Sequence, residues 1–188
     1  MEATERELVV EQLAQSRERL VLTVEGLSEE QRSFRPAQDR WSIADCIEHV
    51  TVVESFVLRN IHQTLQSPPE PERQNEVRGK EKIILEKVPA RERRVQGPAE
   101  FMPQGRWPDF EDLMRRFEAT RERSVRFSAV TQADLRKHFF PHPMLGLLDS
   151  YQWLLLLSAH CERHVRQMEE VKAEPGFPTH QEVEQAGA

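Results

Sequence analysis

Apolar residues recur along the chain in four separate trains, each with the spacing of one face of a helix. From about Thr4 to Leu27, Val9, Leu13, Leu20, Val24 and Leu27 come at near-heptad intervals with charged residues between them. Gly26, near the end of this train, is a helix stop. The second train reads Cys46, Val50, Val53, Val57, Ile61 and Leu65. It opens on Trp41-Ser42-Ile43-Ala44-Asp45, where Ser42 can cap a helix, Asp45 can reach back to the cap, and Trp41 with Cys46 can form the accompanying apolar staple. The third starts at Trp107-Pro108-Asp109 and runs through Phe110, Leu113, Phe117, Ser124 and Phe127, weakening towards its end. The fourth begins near Asp149, with Gln152 as a capping-box partner, and carries Trp153, Leu157, His160, His164, Met168 and Val171 in register to about Lys172.

The breakers fall between these trains. Residues 1–35, 37–67, 109–140 and 144–174 contain no proline, and 7 of the 12 prolines lie between Pro68 and Pro108. Four helices of matched length bury their stripes most simply against one another, so the pattern predicts an all-α four-helix bundle with a long connector between helices two and three. A connector of about 40 residues is long for a structureless loop, and a short helix or extended piece is expected around Gly79 to Val88. Arg136 to Met144 reads as a non-helical link able to pack Phe139 and Phe140 against a bundle end. Residues 1–174 are read as one domain and 175–188 as a disordered tail.

Composition narrows the function. A chain of 188 residues, 38% hydrophobic and 31% charged, is large enough to fold around one core without staples. The longest uncharged stretch, Ser150 to Cys161, falls short of the roughly 18 residues that a membrane span needs. Seven glycines leave no phosphate loop, dinucleotide fingerprint or nucleophile elbow. A net charge of -6 argues against nucleic acid as a partner, and the basic run Arg91-Glu92-Arg93-Arg94 reads as a solvated part of the connector. The N-terminus lacks the pattern of an export signal and the chain has only Cys46 and Cys161, so a reducing cytoplasm is expected.

The histidines carry the candidate chemistry. His160 and His164 lie one turn apart on the face that continues Trp153 and Leu157, so both imidazoles should point inward. His49, one turn past Cys46, belongs to the inward or boundary face of its own helix. Three imidazoles in one bundle would suit a divalent metal with open positions, the arrangement of a catalytic rather than a structural site. Spacing alone also allows ordinary boundary histidines bonded to carboxylates or backbone. Gln167 shares the face of the pair and either orients a ligand or caps the core stripe. Arg163 and Arg166 flank the pair as candidates for an anionic substrate or as solvated residues, and Cys46 reads as a small residue in a packing seam.

Several of these residues together carry a family resemblance. Trp41-Ser42, His49 eight residues after Trp41, the link from His142-Pro143 to Gly146, and His160-x-x-x-His164-x-x-Gln167 resemble the DinB/YfiT-like superfamily over roughly Leu8 to Val171. The resemblance implies a four-helix bundle whose metal ligands are His49, His160 and His164. It also implies a small-molecule substrate that can include a low-molecular-weight thiol in S-transfer, a homodimer and a divalent metal, for which imidazole ligands suit zinc, nickel, iron and cobalt alike. A metal-dependent hydrolase and a non-catalytic metal- or small-molecule-binding module are the alternatives. The connector between Pro68 and Trp107 is the candidate lid.

Overall fold

The four trains become the four long helices of a bundle. A computed structural model describes residues 1–91 and 97–179. Its helices are α1 (Ala3–Val24), α2 (Glu29–Ser33), α3 (Ile43–Thr64), α4 (Gln74–Val77), α5 (Lys80–Lys87), α6 (Phe110–Val130) and α7 (Ser150–Lys172), with strands β1 (Phe139–His142) and β2 (Gly146–Asp149) before α7. The bundle helices begin where side chains can take up their free backbone amides. Ser42 accepts from the Asp45 amide at 3.1 Å while Asp45 accepts from that of Ser42 at 2.8 Å; Asp149 and Gln152 make the same exchange at α7. Asp109 caps α6, and α1 ends just before Gly26, whose φ of 72° suits a residue without a side chain.

The order of the helices around the bundle is α1–α7–α3–α6, closing back on α1. Successive bundle helices α1 and α3 therefore sit across a diagonal, as do α6 and α7. Residues 25–42 and 131–149, which join these pairs, are long enough to cross the ends. Part of the first link forms α2, held by a capping box in which Ser28 and Gln31 exchange bonds. Five residues are too few for a periodic signal. The second link, expected to be non-helical from Arg136 to Met144, begins with a 3-10 turn at Leu135–Lys137 that overlaps that stretch and continues as an antiparallel hairpin pairing Phe139 with Asp149 and His142 with Gly146. Phe140 stacks on Trp153 with ring centroids 4.3 Å apart and an interplanar angle of 6°.

In the connector, α5 occupies the stretch where a short helix or extended piece was expected, and it lies against α7. Arg136 ties these parts together through Glu5 on α1, Glu81 on α5 and Asp149 at the start of α7. Residues 92–96, with most of the basic run, and 180–188, with His180 and most of the expected tail, lie outside the described residues. Among the described residues, no helix is long and apolar enough to cross a membrane.

The weakening of the third train has a structural cause. Arg121 stands on the inward face of α6 and is fully buried, paired with the equally buried Glu54 of α3. Its Nε donates to Glu54 at 2.9 Å, and its Nη1 donates to the Leu13 carbonyl at 2.8 Å and the Ser16 hydroxyl at 2.7 Å on α1. Burial opposes the guanidinium charge, yet the neighbouring carboxylate outweighs it and the Arg121 pKa is raised. The Cys161 thiol on α7 donates to the Ser16 carbonyl at 3.5 Å, so this polar layer draws on all four bundle helices.

Candidate metal centre

His49 comes from α3, and His160 and His164 from α7, two helices packed side by side. One ligand nitrogen from each lies within 4.8 Å of the other two. His160 Nε2 is 3.1 Å from His49 Nε2 and 3.2 Å from His164 Nε2. The His49 ring lies 5.0 Å from His160 and 4.7 Å from His164, centroid to centroid.

The protonation pattern follows from the partners. His49 Nδ1 is 2.8 Å from the Phe101 carbonyl, which can only accept, so Nδ1 carries the proton and Nε2 turns a lone pair towards the other two rings. Burial lowers the pKa of all three imidazoles, opposed at His49 by the Phe101 bond and reinforced at His160 and His164 by their neighbours. Neutral imidazole is the form that binds metals.

Without a cation this cluster cannot satisfy itself. A neutral His160 has at most one proton to place at Nε2, which faces a nitrogen on either side. His164 Nδ1 is buried with no hydrogen-bond partner among the described residues. Two nitrogens bound to one metal at about 2.0–2.1 Å lie about 2.9–3.4 Å apart, and the separations of 3.1 and 3.2 Å fall in that range. The donor set therefore fits a divalent metal.

Trp41, read as a staple residue, has a further place. Its indole stacks on His164 at 5.7 Å and 19° and packs on His49 at 4.8 Å, roofing the cluster with an apolar ring. Cys46 is fully buried in the apolar core near this roof, and burial pushes its thiol up. Gln167 accepts a bond from Arg91 at 2.9 Å, beside a two-pronged pair between Arg91 and Glu170. No hydrogen bond joins Gln167 to the three imidazoles among the described residues. Arg163 donates to the Val88 and Ala90 carbonyls after α5, and Arg166 pairs with Glu162. His62 packs on Phe127, His138 Nδ1 donates to the Thr64 carbonyl, and His142 Nδ1 accepts from the Met144 and Leu145 amides. The connector reaches both ligand-bearing helices: Arg91 bonds Gln167 and Glu170 on α7, and a Cβ on Gly97 would sit 4.0 Å from His49 Cε1 on α3.

Two participants were missed from the sequence. The Phe101 carbonyl is backbone, which no side-chain pattern announces. Glu48, beside His49, is buried and accepts bonds from the connector at Gln104, Gly105 and Arg106. A charged residue within a mostly apolar buried stretch of α3 was its one available signal.

The sequence model of the DinB superfamily matches residues 12–168. The chain belongs to the DinB superfamily. The uncharacterized protein YuaE of Bacillus subtilis is 22% identical over 149 residues, covering 79% of this chain and 88% of its own. Among solved structures, Bacillus subtilis YfiT superposes with a TM-score of 0.66 at 12% identity, over 95% of this chain and 91% of that one. YfiT is described as a probable metal-dependent hydrolase with an unusual four-helix bundle topology. The diagonal placement of successive helices gives this DinB chain its four-helix fold.

The lowered histidine pKa values set a direction for stability. Below about pH 6.5 the unfolded chain binds protons at these three positions that the metal-free native cluster resists, so stability rises with pH there. Metal-free protein is expected to lose stability on acidification below pH 6.5, the ordinary histidine value, and to gain none from these groups above it. Urea midpoints measured from pH 5 to 8 check this; a midpoint flat across that range would contradict it.

Proposed function

We propose that the protein is a divalent-metal-dependent enzyme in which His49, His160 and His164 hold the metal, and that it hydrolyses a small molecule. The observation that carries this reading is the convergence of three imidazoles, those of His49 and His164 buried and that of His160 half-buried, with Nε2 separations of 3.1 and 3.2 Å. The description of YfiT, which shares the fold, supports hydrolysis over other uses of such a site. A divalent metal on three nitrogen ligands supplies Lewis-acid activation at an open position, making water, or an external thiol, nucleophilic at neutral pH.

The chain's own residues prepare that chemistry. The Phe101 carbonyl holds the His49 proton at Nδ1, and burial keeps His160 and His164 neutral. Trp41 closes the roof over His49 and His164 and excludes water from that side. Cys46 and Cys161 are both buried with their thiols pushed up, so a thiol used in S-transfer has to arrive with a small molecule. Zinc, nickel, cobalt and ferrous iron all suit imidazole ligands. The reading extends to a homodimer, which light scattering would measure.

Protein purified without a nickel column is expected to carry about one equivalent of divalent metal by elemental analysis. Metal-loaded protein is then incubated with small esters, amides and electrophilic substrates, with and without small thiols. Turnover in the absence of thiol supports hydrolysis, and turnover that strictly requires thiol replaces it with transfer. Protein that takes up no metal overturns both.

A further inference from the structure

The three imidazoles are not held alike. Among the described residues, His49 alone of the three has its remote nitrogen fixed by a backbone carbonyl, whereas the Nδ1 of His164 has no partner there. What fixes the Phe101 carbonyl is a closed circuit of bonds that begins one residue away from His49. Glu48, 4% exposed, accepts from the Gln104 amide at 2.8 Å, the Gly105 amide at 2.9 Å and the Arg106 amide at 3.3 Å. Gly105 makes this wrap possible, since its φ of 67° is a left-handed conformation that a side chain disfavours. The same carboxylate accepts from Arg106 Nη1 at 2.5 Å. That guanidinium also donates to the Met102 carbonyl at 2.9 Å and the Glu100 carbonyl at 3.1 Å. These carbonyls bracket Phe101, whose own carbonyl is left to meet His49.

We propose that Glu48 and Arg106 form a latch that positions the Phe101 carbonyl and thereby holds His49 in its Nδ1-protonated tautomer, with Nε2 presented as a ligand. The two ends of the circuit are consecutive residues of α3, so the loop over residues 100–106 cannot shift relative to His49 without breaking bonds to a buried carboxylate. A buried carboxylate stripped of such bonds is costly, which gives the latch its stiffness. Glu48 and Arg106 are positioning residues: they act through the Phe101 carbonyl and not on a substrate. The inference rests on the metal reading only for its consequence, because the tautomer exists in the metal-free protein.

The test uses the full chain labelled with 15N-histidine. Long-range 1H–15N NMR of the metal-free protein reads which nitrogen of His49 carries the proton, and competition titration reads zinc affinity. Wild type is expected to show His49 protonated at Nδ1. Arg106→Ala is expected to give a mixture of tautomers and to weaken zinc binding about 10–100-fold, the scale on which outer partners of metal-bound histidines act. Arg106→Lys keeps the charge beside Glu48 but cannot hold both carbonyls around Phe101, and it is expected to behave like Arg106→Ala. Glu48→Gln gives the second route to the same effect. An unchanged His49 tautomer and unchanged zinc affinity in the Arg106 variants overturn the latch. A wild type that takes up no zinc, but whose His49 tautomer changes in Arg106→Ala, rejects the metal reading and supports the latch.

Discussion

Replacing Glu54 with alanine is expected to cost about 3–5 kcal/mol of folding stability, because it leaves the Arg121 guanidinium buried without its counter-charge. For a chain of this length that is a fall in Tm of roughly 6–20 °C. Arg121 has no route to water: its side chain is fully buried, and its remaining bonds go to the Leu13 carbonyl and the Ser16 hydroxyl. The attraction between the pair does not by itself make it stabilising, since desolvating two ions offsets much of the gain. The double variant Glu54→Leu/Arg121→Met, which replaces both charges with apolar groups, should therefore recover most of the loss. Urea denaturation of the two variants and wild type provides the measurement. A loss below about 1 kcal/mol in Glu54→Ala would mean that water or a shifted neighbour replaces the carboxylate.

The second large effect concerns the cluster. Zinc at about a hundred times its dissociation constant is expected to stabilise wild type by about 2.7 kcal/mol. That corresponds to roughly 5–11 °C in Tm. His160→Ala should abolish this shift, because His160 Nε2 is the nitrogen that lies next to both of the others. His62→Ala should retain it, since His62 packs on Phe127 and makes no contact with the cluster among the described residues. Thermal melts with and without zinc compare the three proteins. A zinc shift that survives in His160→Ala would place the ion elsewhere.

The helices were legible because their causes are local. Val9, Leu13 and Leu20 on α1, and Cys46, Val50, Val57 and Ile61 on α3, are all buried as their periodicity requires. The boxes at Ser42 and Asp149 are both formed. The two α7 histidines were legible for the same reason, four residues apart on a face whose other members are core. Arg121 was not: its charge weakened the third train, and only the meeting of Glu54, Leu13 and Ser16 around it accounts for a buried guanidinium. Glu48 was hidden because its partners, 56 to 58 residues away, are mostly backbone amides.

By itself the sequence determined four amphipathic helices, the capping boxes of α3 and α7 and the inward direction of the His160–His164 pair, because those follow from interactions within about one helical turn. The tertiary structure decided which helices are neighbours, that His49 meets the pair, which of its nitrogens carries the proton, and where the buried Glu54–Arg121 pair lies. Backbone amides and carbonyls are nearly the same at every residue, so a contact to the Phe101 carbonyl or the Gly105 amide becomes specific only once the chain has brought it into place.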